Sequence, residues 1–287
     1  MADLKPCFVQ FIHPGSEHGI HGSRKPWNTG EHRRKFLRAR GSYMKTPDAA
    51  PERGELVFWG EWEPESEDEG IVSPLPDGPR WVHRPYYVRP ASYPGDLQNT
   101  DPFVFGDCFL YTVCHQIKRI RGHFRPTFLR DLAPGSLILF GSLKAGEFVL
   151  DTALVVAEGV LHNFGTWSTV LAARISPTYA VVTMLPSYQT RWPHELRLYS
   201  GATVDEPFRG LFSFAPCLPE ELAPKGFARP AIRLNGVINP RLMMGAKATR
   251  GLSVERIKEL WDAVTAQVLN QGLALGVRFD LPPRRSE

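Results

Sequence analysis

Absences narrow the reading first. No stretch of the 287-residue chain approaches the run of about 20 apolar residues that a membrane helix needs. The four cysteines, Cys7, Cys108, Cys114 and Cys217, are scattered and form no CxxC pair, which argues against a structural zinc ribbon. The opening MADLKPCFVQF lacks a basic-then-apolar signal pattern, so a cytoplasmic location and reduced thiols are expected. There is no P-loop, no Gly-rich dinucleotide fingerprint, no G-x-S-x-G elbow and no H-E-x-x-H. Phosphoryl transfer from ATP, nicotinamide redox chemistry and the common hydrolase folds lose their support. No repeat and no low-complexity linker divides the chain, so one compact domain over 1–287 is expected.

What is present begins with charge. The net charge is +4 and the isoelectric point about 8.9, which permits a nucleic-acid partner without demanding one. Arg24, Lys25, Arg33, Arg34, Lys35, Arg38 and Arg40 crowd one segment, and IKRIRGHFR (Ile117–Arg125) forms a second basic run. GEWEPESEDEG (Gly60–Gly70) is an acidic patch. Each run reads equally well as a solvated face; two basic runs among many aromatics point to a phosphate-bearing partner.

Periodicity predicts a strand-rich α+β protein with a curved or barrel-like sheet and peripheral helices. Strands are expected at Cys7–His13, Glu55–Glu63, Phe105–Ile117, Tyr179–Leu185 and Leu211–Pro219. Ser136–Ser142 and Glu147–Gly159 flank LKAG, the clearest hairpin signal. A C-terminal helix over 253–272 is expected, with Ser253 as N-cap, apolar residues Val254, Ile257, Leu260, Trp261, Val264 and Val268, and Gly272 at its end. A shorter helix is expected over Gly30–Arg40, and little order over Thr46–Gly54 and the acidic patch.

Three constellations carry candidate chemistry. FIHPGSEHGIHG (Phe11–Gly22) places His13, His18 and His21 on one Gly-Pro loop, with Glu17 between them. The alternatives are a metal site, solvent-facing imidazoles, or a polar loop facing phosphate or a base beside Arg33, Arg34 and Lys35; the last is preferred and no cofactor is expected. In QNTDPFVFGDCFLYTVCHQ (Gln98–Gln116), Cys108 follows a Gly-Asp corner and serves either as a buried small hydrophobe or as a nucleophile, with Asp107 and His115 nearby. Asp151 interrupts the apolar run FVLDTALVV, so its carboxylate is either a paired anchor or an acid-base group. Glu61 raises the same question beside Trp59 and Trp62, which either pack in the core or stack on a base.

LAPGSLILFGSLKAGEFVLDTALVVAEG (Leu132–Gly159) resembles the PUA-like superfamily, including EVE and ASCH domains. DPFVFGDCFLYTVCHQ followed by LRDLAPGSLILFGS is similar in layout to domains associated with prokaryotic DNA-base modification. The resemblance implies a barrel core over 98–185 with a concave face that receives a base. It implies DNA or a nucleotide as partner, alongside proteins of a modification system; the lack of a long apolar run is the ground for expecting no membrane. The expected function is nucleobase or nucleotide engagement in nucleic-acid modification. In its concrete form Cys108 attacks a base substituent such as the nitrile of a 7-deazaguanine. Asp107, Asp151, Glu61 or His115 then move protons, Arg33, Arg34, Lys35, Arg38, Lys118, Arg119 and Arg121 hold the backbone, and Trp59 or Trp62 stacks on the extruded base. The alternatives are a non-catalytic reader of modified bases and a metal-dependent nuclease or hydrolase on His13, Glu17, His18 and His21.

Overall fold

The computed structural model describes residues 5–13, 34–71, 81–93, 99–189, 194–223 and 226–286. Its strands are β1 (Phe8–Ile12), β2 (Arg34–Met44), β3 (Glu52–Glu61), β4 (Ser66–Ile71), β5 (Trp81–Pro85), β6 (Leu110–Tyr111), β7 (Ile117–Ile120), β8 (His123–Pro126), β9 (Leu137–Lys144), β10 (Glu147–His162), β11 (Leu196–Gly201), β12 (Ala215–Pro219), β13 (Gly245–Thr249) and β14 (Ala274–Phe279).

One six-stranded sheet runs in the order β13-β1-β9-β10-β11-β6. Within it β1 and β9 are parallel and their neighbours antiparallel. The second sheet runs β14-β12-β3-β2-β5-β4, and an added pairing of β14 with β2 closes β14, β12, β3 and β2 into a small barrel. These barrel strands come from both ends of the chain. The span 98–185 contributes β6 to β10 and much of a helical stretch at 177–189. Mutual hydrogen bonds between Ala153 and Phe214 stitch β10 to the barrel side, at 2.8 and 2.9 Å.

The first sheet is buried on both faces. Val9, Phe11, Ile138, Phe140, Leu154 and Val156 enter one core, while Phe8, Ile12, Leu137, Leu139, Ala153 and Val155 enter the other. This is why its strands read as continuous apolar runs. The long helix Val254–Asn270 covers the second core with Ile257, Leu260, Trp261, Val264 and Val268. Ser253 Oγ accepts from Arg256 N at 3.1 Å, and Gly272 takes a φ of 77° just beyond the helix, as the sequence predicts. The β9–β10 hairpin also forms as expected. Its turn residues Ala145 and Gly146 have φ of 50° and 82°, the mirror-image turn that suits strand twist.

Four local expectations are corrected. The described part of Gly30–Arg40 is strand β2, not helix, because it lies between β3 and β5 with both faces covered. Tyr179–Leu185 is helical, continuing from Pro177, and Ser176 Oγ caps it by accepting from Tyr179 N. Phe105–Ile117 is mostly irregular, with only Leu110–Tyr111 as strand, because Gly106 and His115 adopt φ of 93° and 58°. Thr46–Gly54 is the connection of the β2–β3 hairpin with the first residues of β3, and the acidic patch is partly strand, in the end of β3 and in β4. Among the described residues no helix is long and apolar enough to cross a membrane.

Candidate functional site

A buried charge cluster forms where the ends of β1, β3, β9 and the middle of β10 meet. Pairing between β9 and β10 steps from Leu150↔Gly141 to Thr152↔Phe140, so Asp151 is the extra residue of a β-bulge. Such a bulge re-aims one side chain out of its row. The Asp151 carboxylate accepts from Arg229 Nη1 at 2.8 Å, and the same nitrogen donates to Ser142 Oγ at 2.6 Å. The Arg229 guanidinium lies 4.4 Å from the Trp59 ring.

Arg34 faces Glu61 directly across the β2–β3 ladder. Its Nε and Nη2 both donate to Glu61 Oε2, at 3.1 and 3.0 Å, and His13 Nδ1 stands 3.6 Å from that oxygen. Arg34, Glu61, His13 and Asp151 are each under 10% exposed. Burial pushes the Asp151 carboxyl above the usual range; Arg229 and Arg34 pull it down and Glu61 pushes it up. The two ion pairs therefore act on one another.

Two buried donors in this cluster lack partners among the described residues, Arg34 Nη1 and Trp59 Nε1. An unmet buried donor costs about 1–3 kcal/mol. Desolvating ion pairs is itself a weak source of stability. Two carboxylates in unlike surroundings can divide acid and base roles.

Aromatic contacts connect this cluster to the surface. The Phe11 ring centroid lies 4.5 Å from His13 and 5.3 Å from His115. The segment before His115 is fixed by Asp101, whose carboxylate accepts from the backbone N–H of Thr112, Val113 and Cys114 at 2.9, 2.8 and 2.7 Å. Burial nevertheless raises Asp101 to about 7, with Glu61 adding to the rise. After His115 the chain enters the β7–β8 ribbon, and Thr127 Oγ1 ties its far end back to His115 O at 2.6 Å.

The ribbon is exposed along its length. Lys118 pairs with Arg125 and Arg119 with Phe124, while Arg121 and Gly122 form the turn with φ of 48° and 83°. No acidic residue occurs between His115 and Arg130. Phe124 is 42% exposed, with Arg119 5.7 Å from its ring centroid and the His194 ring at 4.9 Å.

The structure thus brings together Asp151, Glu61, Arg34, His13 and, through Phe11, His115. Cys108 occupies different surroundings, beside clefts shared with Glu158, Arg174 and Ser200. Burial, then Asp107 and Glu158, push its thiol up to about 11, which disfavours the thiolate a nucleophile needs, and Arg174 of the same cleft is paired with Glu158. Asp107 is exposed and paired with Arg278. Trp62 is fully buried, donates to Glu65 O at 2.7 Å and presents no open ring face, and Trp59 is covered by Arg229. Lys35 is buried and donates to Ser66 Oγ at 2.9 Å; Arg38 pairs with Glu220. Neither buried Arg34 nor buried Lys35 meets a nucleic-acid backbone from solvent, because β2 is internal to its sheet. Lys118, Arg119 and Arg121 lie on the ribbon. Glu17, His18, His21 and Arg33 lie outside the described residues. Among the described residues no group of three or more His, Cys, Asp or Glu side chains could hold a metal ion.

Sequence reasoning missed Arg229, which sits in no motif and reaches Asp151 from 78 residues away. Compared with family models, curated proteins and solved structures, the chain matches none significantly.

Proposed function

We propose that this protein engages nucleic acid, holding the backbone on the β7–β8 ribbon and presenting a base to the Glu61–Asp151 cluster for acid-base chemistry. One observation carries the reading: an all-basic exposed ribbon is rooted at His115, which packs on the same Phe11 ring as His13 of the buried cluster. Four cationic side chains on one short hairpin give the electrostatic footprint of a phosphate-binding element. Phe124 offers a partly exposed ring beside them for stacking. Arg34 Nη1 and Trp59 Nε1 are the donors that would receive acceptor atoms of the base.

The base-modification reading rests on the PUA-like resemblance alone, because the closed barrel is built from β2, β3, β12 and β14 and not from 98–185, where the resemblance lies. Within it, acid-base work belongs to Glu61 and Asp151, and Cys108 is set aside as nucleophile because burial, Asp107 and Glu158 raise its thiol.

The test uses fluorescently labelled single- and double-stranded DNA and RNA at low salt, followed by mass spectrometry of the nucleosides. Salt-sensitive binding is expected, with a changed nucleoside that disappears in Asp151→Asn while binding persists. Binding without any changed nucleoside would make the protein a reader. No association with any of the four probes would overturn the proposal.

A further inference from the structure

A second cationic feature is built on other elements than the ribbon, where the C-terminal segment meets the strand-like stretch after β5. Tyr87 N donates to Pro283 O at 3.1 Å and Arg285 N donates to Tyr87 O at 2.9 Å. This pairing sets Arg284 and Arg285 beside Arg89. The three arginines, with Tyr93 and Leu185, line a cleft of about 590 Å³. That volume lies within the range of small-ligand sites, about 300–1,000 Å³.

The charges in the cleft are unevenly compensated. Arg285 is held by Glu67 and its guanidinium lies 4.1 Å from the Tyr86 ring centroid. Arg89 and Arg284 have no ion-pair partner among the described residues. Among the described residues no acidic side chain lines the cleft. Tyr93 is fixed, its hydroxyl donating to Val181 O at 2.9 Å, which makes one wall rigid. Pro90 on one side and Pro282 and Pro283 on the other restrict the backbone that carries the arginines. Two guanidinium groups without an ion pair among the described residues, on a restrained concave surface, suit a planar or tetrahedral oxyanion, because each fork can donate two parallel hydrogen bonds.

We propose that this cleft binds phosphate groups through Arg89 and Arg284, with Arg285 as a pre-positioned third cation. The phosphates come from a free nucleotide or from a nucleic-acid backbone that extends beyond the ribbon. The cleft stands independently of the cluster chemistry proposed above.

Calorimetry with inorganic tripolyphosphate at low salt tests it. Wild-type protein is expected to bind, and the exposed double variant Arg89→Ala/Arg284→Ala to bind about tenfold more weakly or worse, with an unchanged melting temperature. In the ribbon variant Lys118→Glu/Arg125→Glu, which removes the other proposed phosphate-binding element, tripolyphosphate binding at the cleft is expected to persist and to fall about tenfold when Arg89→Ala/Arg284→Ala is added. The ribbon variant's loss of oligonucleotide binding concerns the proposed function alone. Displacement of tripolyphosphate by GTP or ATP but not by an oligonucleotide identifies a nucleotide site; displacement by the oligonucleotide identifies a backbone site. Equal binding by wild type and the Arg89/Arg284 variant, or no binding by wild type, overturns the proposal.

Discussion

Arg34 and Glu61 face one another across the β2–β3 ladder and share two hydrogen bonds to a single carboxylate oxygen, both residues almost wholly buried. That oxygen also lies near His13. Truncating Arg34 to alanine therefore strands a carboxylate in the interior, at a cost of about 3–5 kcal/mol. The joint replacement Arg34→Met/Glu61→Leu is expected to be more stable than Arg34→Ala alone, because no charge is left without its partner. Urea denaturation of the three proteins checks this. A double variant no more stable than the single one would mean the pair is not the source of the loss.

Asp101 gives a pH signature. Its native value near 7 stands above the ordinary aspartate value of about 3.9. Between these values the folded protein holds a proton that the unfolded chain has released. The associated stability is fully present below about pH 4 and is lost as pH rises through about 7. A ¹³C-carboxyl titration of Asp101 is expected to show a midpoint near 7. A midpoint below the ordinary value would mean that the three backbone donors outweigh burial.

Cys108 is expected to react slowly with iodoacetamide at neutral pH and to accelerate only toward pH 11, its thiol being held there by burial and by Asp107 and Glu158. Cys108→Ser is accordingly expected to keep any base-modifying activity. Rapid labelling at pH 7, together with loss of that activity in the serine variant, would restore the nucleophile reading.

Charge reversal of the cross-strand pair, Lys118→Glu/Arg125→Glu, removes two phosphate contacts. The slope of log affinity against log salt is expected to flatten by about 1.8 for duplex DNA. An unchanged slope in a salt titration would place the backbone elsewhere.

Gly41 lies where β2 meets β14, and a Cβ there would stand 2.3 Å from Arg278 O. Gly41→Ala must push the closing strands apart, at about 1–3 kcal/mol, read as a lowered urea midpoint.

The legible parts of the sequence were those whose signals are local. The LKAG hairpin and the helix after Ser253 carry their own turn and cap residues, and both form. Strand β2 was illegible because Arg34 and Lys35 are charged yet buried, so no polar face marks the strand. The helix at 177–189 hid behind β-branched residues, although Ser176 followed by Pro177 is a helix-start signal. Within the site, Asp151 and Glu61 stood out because a carboxylate in an apolar strand must be explained. The partners that explain them could not be read, since Arg229 and Arg34 meet them only through tertiary pairing.

Closure of the barrel has a consequence for synthesis. Strand β14 lies more than 200 residues after β2, yet it seals β2 against β12. A nascent chain that has emerged only through β12 holds two strands with bare hydrogen-bonding rims, each a template for pairing with a neighbouring chain. Premature termination before Ala274 would thus yield an aggregating product rather than a smaller working protein.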